Sequence, residues 1–211
     1  MNLGIDRGCG STVARLGGLL LVTSALLTGC LLPRDQTPPP QAYLLEVGAY
    51  VPPSVGRSGG KTLLVTVPGA APGFDSNRIA YTRDPPKLDY YNDSVWSDTP
   101  ARMLLPVFVQ AFESTGAFRA VVSPPSPALA DLRADVEVIR LQQEFMIQPS
   151  QLRLTARIKI MDMKSGLVLN TQVFEAREPA PSDDAAGAAR AANAAVRKIL
   201  GEMVPFALDH L

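Results

Sequence analysis

The chain is poor in the residues that most often do chemistry. Its 211 residues include two cysteines, one histidine and one tryptophan. Cys9 and Cys30 both lie near the N-terminus. Nothing after residue 30 can therefore form a disulfide, a thiolate nucleophile or a thiolate metal site. His210 stands one residue from the C-terminus, where chains usually fray. Ser-His-Asp catalysis and histidine-rich metal sites are thereby disfavoured, and neither standard glycine-rich phosphate loop occurs. Chemistry by carboxylates alone stays formally open, with nothing pointing to it. No catalytic, cofactor or metal site is expected. Charge of one sign is also missing: 20 Lys and Arg balance 20 Asp and Glu. No basic field calls for nucleic acid.

Long apolar runs are missing too, and the longest is informative. Leu16 to Leu27 carries no charge and follows Arg7 and Arg15, which Asp6 only partly offsets. At about a dozen residues it is shorter than the roughly 20 needed to span a bilayer core. Its length and flanks fit the apolar region of a signal peptide. The run ends in Leu27-Thr28-Gly29-Cys30, which has the form of a lipobox: one apolar residue, two small ones, then cysteine. Small residues let a peptidase approach the backbone, and the sulfur takes a diacylglyceryl group. Cleavage between Gly29 and Cys30 then frees an amine for further acylation. Each buried methylene contributes about 0.8 kcal/mol, and one acyl chain alone holds only marginally. Two or three chains on Cys30 would hold essentially without release. An ordinary secretory signal with an incidental cysteine is the competing assignment.

Residues 1–29 thus read as a lipoprotein signal, 30–41 as a lipidated tether and 42–208 as the domain. Removing 29 of the 211 residues leaves 182, enough for one domain, and 46% hydrophobic content supplies a core. Pro38, Pro39 and Pro40 favour an extended tether of roughly 30 Å at about 3.1 Å per residue. The residue after the anchor is Leu31, whereas aspartate there is the usual inner-membrane retention signal in enteric bacteria. Outer-membrane sorting, on the periplasmic face, is therefore favoured.

Within the domain, short runs at 42–48, 61–67, 77–83, 88–91 and 118–122 read as strands. Ser54 to Gly60 is a Gly- and Ser-rich connection. The residues 77–83 and 88–91, separated by Pro85-Pro86, suit hairpin-like pairing. A helix should begin near Thr99, with Pro100 in its first turn. Leu104, Val107, Phe108, Ala111 and Phe112 form its buried stripe. Pro106 should kink it, and Gly116 should end it in a left-handed cap. Apolar residues alternate with charged ones along 132–138 and 152–160, each a strand with one wet face. Lys164-Ser165-Gly166 turns the chain into a partner strand over 167–176. The basic residues of 152–160 are assigned to a solvated face, with a partner-facing basic strip as the sharper alternative. Asp183 and Asp184 suit the start of a last, Ala-rich helix, whose apolar stripe runs through Ala192, Ala195, Val196, Ile199, Leu200 and Met203. The sum is an α+β fold: a two-layer, mostly antiparallel sheet with two main helices packed on one face.

Several stretches resemble the ABC-type transport auxiliary lipoprotein family. The strongest runs unbroken from Pro72-Gly73-Phe74-Asp75 through Ser76-Asn77-Arg78-Ile79 to Ala80-Tyr81-Thr82-Arg83. Others are Tyr43-Leu44-Leu45, Leu88-Asp89-Tyr90-Tyr91, Ser94-Val95-Trp96, Pro100-Ala101-Arg102-Met103-Leu104 and Ala130-Asp131-Leu132. The resemblance continues at Phe145, Pro149-Ser150, Phe174-Glu175 and Ala191-Ala192-Asn193. It implies a non-catalytic accessory of an Mce-type or paraquat-inducible-type intermembrane transport system, carrying lipid or another hydrophobic substrate. The implied partners are a periplasmic Mce-domain protein and, through it, an ABC permease and its ATPase. The alternative is a structural lipoprotein of envelope integrity that binds peptidoglycan or an outer-membrane protein. In the motif residues, Ile79, Tyr81, Tyr90 and Trp96 could line a groove or edge that accepts a partner strand. Arg78, Arg83 and Asp89 could fix its register. The blander assignment puts Phe74, Ile79 and Trp96 in the core and makes Asp75 and Arg78 a structural pair. Gly73 is expected in a turn that needs positive φ.

Overall fold

The structure, a computed structural model, describes residues 38–48 and 60–209. The signal, Cys30, most of the tether, nearly all of the 54–60 connection and His210 lie outside them. In chain order the elements are β1 (Gln41–Tyr43), β2 (Thr62–Val65), β3 (Gly69–Ala70), β4 (Arg78–Thr82) and β5 (Asp89–Trp96). Then come α1 (Pro100–Ser114), β6 (Ala120–Val122), β7 (Leu132–Glu144), β8 (Gln151–Asp162), β9 (Val168–Pro179) and α2 (Ala185–Leu208).

The long strands form an antiparallel meander, β7 to β8 to β9. The free side of β7 is then covered in sequence by β2, β3 and β4, all parallel to it. β4 pairs antiparallel with β5, as the hairpin expectation required, while β1 and β6 add parallel strands at the margins. The sheet is thus mixed: its long ladders are antiparallel and its short joins parallel. Both helices pack on the same face, as expected of the two-layer α+β fold.

Alternation explains the layering. Leu132, Ala134, Val136 and Val138 of β7 and Leu152, Leu154, Ala156, Ile158 and Ile160 of β8 are all buried under the helices. A register shift between Val138 and Arg140 marks a bulge. It breaks the simple period of two, and β7 continues beyond it through buried Leu141 and Gln143 to Glu144. β5 likewise extends past Tyr91, where the expected strand ended, through Asn92, Asp93 and Ser94 to Trp96. The strand expected over 42–48 is regular only as far as Tyr43, although Leu45 still reaches the core.

α1 has Pro100 in its first turn and contains Pro106 without interruption of its span. Gly116 follows at φ +66°, the expected left-handed position. In α2, Ala188, Ala191, Ala192 and Ala195 face the sheet and are buried. Small side chains there let the helix lie close to the strands. Asp184 is its N-cap, accepting from the Gly187 amide at 2.7 Å. A hydrogen bond from the Ser182 hydroxyl, then the one from Gly187, hold the Asp184 carboxyl below its ordinary value. Asp183 is not the cap; it accepts from Ser150 Oγ at 2.5 Å.

Candidate functional site

The face of the sheet away from the helices is open. It carries Arg133, Asp135, Glu137 and Arg140 of β7, Arg153, Arg157 and Lys159 of β8, and Glu175 and Arg177 of β9. Much of this charge is internally paired. Arg157 meets Glu137 at 2.7 Å, Arg153 meets Glu175 at 2.6 Å, Arg177 meets the same Glu175 at 2.9 Å, and Arg133 meets Asp135 at 2.7 Å. Burial raises the Glu175 carboxyl, but hydrogen bonds from Arg153 and Arg177 outweigh it and leave it below the usual value. The basic residues of β8 therefore lie on the solvated face, as read from the alternation. Lys159 and Arg140 form no ion pair with any described carboxylate.

The motif residues divide between the two faces. Ala80, itself buried, is in register with Gln142 of β7 and with Tyr90 of β5, on the side away from the helices. There the Arg78 guanidinium lies 3.9 Å from the centroid of the Tyr90 ring. Tyr90 donates its hydroxyl to the Gly73 carbonyl at 3.0 Å. Gly73 has φ +91°, a conformation that favours glycine, and a Cβ there would also press on Leu88 Cδ2 at 3.0 Å, which would have to give way. Arg78 stacks on the ring and makes no ion pair with Asp75 among the described residues.

Tyr81 is in register with Gln143 and with exposed Asp89, on the helix side. It packs against Tyr91 at 4.9 Å and edge-on to Phe145 at 5.9 Å between centroids. Arg83 lies over Phe145 at 4.6 Å and Tyr81 at 5.5 Å. Tyr81, Arg83 and Asp89 thus cannot share a groove with Arg78 and Tyr90. Trp96 is 1% exposed and Ile79 also 1%; both belong to the core and line no surface. Burying so large a ring satisfies the hydrophobic driving force rather than offering it to a partner.

A buried polar chain escapes the sequence reading altogether. Tyr91 donates to Gln143 Oε1 at 2.7 Å, Gln143 Nε2 to Ser150 Oγ at 2.8 Å, and Ser150 Oγ to Asp183. It ties β5, β7, the β7–β8 turn and the start of α2 together. Gln143 and Ser150 are 0% exposed. Burial, then the negative charge of Asp184, push the Tyr91 hydroxyl up to about 12. Beside it lies an open hollow of about 260 Å³, lined in part by Gln41, Tyr43, Tyr91, Asp93 and Asp184. A second, shallower hollow of about 450 Å³ lies between residues 45–48 and α1, floored by Met103, Pro106 and Val107. No group of three or more His, Cys, Asp or Glu that could hold a metal occurs among the described residues.

A two-layer domain with an exposed, charged sheet face and an arginine–tyrosine stack on it is built to present a surface. Residues 43–204 match the family model of the ABC-type transport auxiliary lipoprotein component, and the chain belongs to that family. Its fold is similar to a crystal structure from Xanthomonas campestris, with 25% identity and a TM-score of 0.70 over 81% of this chain and 94% of that one. It is also similar to an uncharacterized protein at 11% identity, TM-score 0.62, covering 80% and 99% of the two chains. A hypothetical protein of Chlamydia trachomatis matches at 7% identity, TM-score 0.52, covering 72% and 98%. These last two likenesses concern the fold alone. No curated protein matches by sequence. The chain is thus a membrane-associated lipoprotein by family and an auxiliary component of an ABC transport system. No helix among the described residues is long and apolar enough to cross a membrane.

Proposed function

We propose that this protein is a lipid-anchored, non-catalytic docking component of an Mce-type intermembrane lipid transport system. Cys30 carries the lipid, cleavage falls after Gly29, and residues 31–41 tether the domain at 42–208. The anchor sits in the outer membrane, on its periplasmic face, because Leu31 rather than aspartate follows the lipidated cysteine. The domain engages a periplasmic Mce-domain protein and, through it, an ABC permease and ATPase.

One observation carries the reading: Arg78 of the strongest motif and Tyr90 of the next motif stack on each other on the face away from the helices, outside the core. An arginine stacked on a tyrosine, with no ion pair among the described residues, presents a fixed cation and an aromatic edge, both residue types enriched in binding hot spots. Tyr81, Arg83 and Asp89 form a separate patch, and Trp96 supports the hairpin from within. The test is co-purification of the full-length chain with the Mce-domain protein, in detergent and in nanodiscs. Arg78→Ala and Tyr90→Ala should each lower recovery. Purified partners that ignore each other in both media would end the proposal. Capture by peptidoglycan sacculi in their place would favour the envelope-integrity role.

A further inference from the structure

Both ends of the long strands carry exposed apolar residues, and the tether can bring only one end to a bilayer. Where β7 finishes, the turn into β8 holds Met146 and Ile147, 47% and 54% exposed. At the other end Leu129, Met163 and Leu167 are exposed, and the Met163 amide bonds the Asp131 carbonyl beside the start of β7. β1 runs parallel to β5, β5 antiparallel to β4, and β4 parallel to β7. The chain ahead of β1 therefore enters at the end where β7 finishes. There Gln41 and Tyr43 line one hollow with Asp184, and Asp183 next to it holds Ser150 at the close of the turn. β7 alone has 13 residues, roughly 43 Å at about 3.3 Å per residue. The nine steps from Cys30 to Pro39 span at most about 32 Å when fully extended. A lipidated Cys30 thus leaves the far end of β7 short of the membrane and lets the Met146–Ile147 turn reach it.

The turn itself suits a lipid interface. Phe145-Met146-Ile147-Gln148-Pro149-Ser150 carries no charge. Both of its ends are pinned: the Phe145 amide donates to the Thr82 carbonyl at 3.0 Å, and the Ala180 amide to the Ser150 carbonyl at 2.7 Å. A pinned turn has little freedom left to lose when its apolar side chains meet lipid. Beside it, exposed Arg83 lies over the Phe145 ring at 4.6 Å and has no ion pair among the described residues. An arginine lying along an aromatic ring with its charge unpaired matches the level of lipid phosphates. Unpaired backbone is costly in the hydrocarbon core, so such a contact stops at the headgroup–acyl boundary. We propose that the β7–β8 turn rests in the bilayer that holds Cys30, with Met146 and Ile147 in the headgroup–acyl boundary and Arg83 on lipid phosphate. The proposal rests on the lipid anchor of the reading above and orients the domain, sending Leu129 and Met163 away from the membrane.

The test places the mature lipidated chain, unaltered, in nanodiscs of phosphatidylethanolamine and phosphatidylglycerol that include a phospholipid with a diazirine on its acyl chain. Light should put adducts on residues 145–149 and leave 129 and 163–169 unmarked. Met146→Asp together with Ile147→Asp should cut those adducts about tenfold, because a carboxylate is costly where the apolar side chain was favoured. A nitroxide reads the depth. Cys9 leaves with the signal and Cys30 is acylated, so Ile147→Cys or Leu129→Cys supplies a lone thiol for the label. The label at 147 should meet dissolved oxygen in preference to an aqueous nickel chelate, and the label at 129 the reverse. Adducts confined to 129 or 163–169, or equal nickel access at the two positions, overturn the proposal. Burial of the 147 label only after an Mce-domain protein is added gives the turn to that partner and also overturns it. If the aspartate variant fails to fold, the adducts on the unaltered chain decide. A chain without lipid on Cys30 refutes the anchor and the orientation together, whereas a lipidated chain with no adduct at 145–149 refutes the orientation alone.

Discussion

Tyr90 reaches from β5 to the Gly73 carbonyl at 3.0 Å while Arg78 covers its ring at 3.9 Å. One side chain therefore fixes a loop, a strand and an exposed cation. Tyr90→Phe keeps the ring and loses the hydrogen bond, so it should cost about 1 kcal/mol and leave partner binding largely intact. Gly73→Ala should cost more, because it meets both positive φ and Leu88. Urea unfolding of the two variants checks the order.

The buried chain from Tyr91 to Asp183 should be among the most sensitive places in the domain. Gln143→Ala removes the acceptor of the half-buried Tyr91 hydroxyl and a donor to buried Ser150, which keeps its bond to Asp183, and leaves a gap where Gln143 was fully buried. A loss of about 3 kcal/mol is expected, read as a melting temperature lowered by roughly 6–12 °C for a domain of this size. A shift below 2 °C would mean the chain contributes little.

Gly187 makes opposing effects separable. Alanine is the better helix former by about 1 kcal/mol, yet a Cβ at this position would collide with the Ser182 carbonyl. Overpacking against backbone costs about 1–3 kcal/mol. Gly187→Ala should therefore be destabilising in chemical denaturation despite its propensity gain. A stabilised variant would show that the turn before α2 yields freely.

Acid and alkali should act through different groups. The Asp184 carboxyl is held below its ordinary value of 3.8, so its contribution is complete above that pH and is lost as pH falls through the lowered value. Asp184→Asn should flatten this acid loss of α2 helicity in circular dichroism below about pH 4. Tyr91 is raised to about 12, so its contribution is complete below the ordinary 10 and is lost as pH rises toward 12. Absorbance titration should show one tyrosinate signal that appears late and is missing in Tyr91→Phe.

Much of this fold was legible because the period of two is clean along 132–138 and 152–160, and the period of 3.6 is clean in both helices. The parallel joins of β2, β3 and β4 to β7 were not legible, since short strands carry no signal of their partner's direction. The bulge after Val138 hid the second half of β7 by breaking alternation where the chain still pairs. The motif residues were legible as a group but not as two groups. A strand sends successive side chains to opposite faces, so Arg78 and Tyr81, three apart, were bound to separate once β4 was regular. Trp96 reads as a surface aromatic or a core residue from sequence alone, and only packing distinguishes them. Gln143 carries no motif, and Ser150 stands in one only as part of the Pro149-Ser150 resemblance; the bond between them exists only after folding.

The most direct measurement of the central claim is native mass spectrometry of the full-length chain isolated from detergent-solubilised envelopes, beside Arg78→Glu and Cys30→Ala. The account predicts a processed chain beginning at lipidated Cys30, bound to an Mce-domain protein. Arg78→Glu should lose that partner while staying lipidated, and Cys30→Ala should be unprocessed or released from the membrane. A lipidated chain that is always recovered alone, or a Cys30→Ala variant of the same mature mass still in the detergent phase, would contradict it.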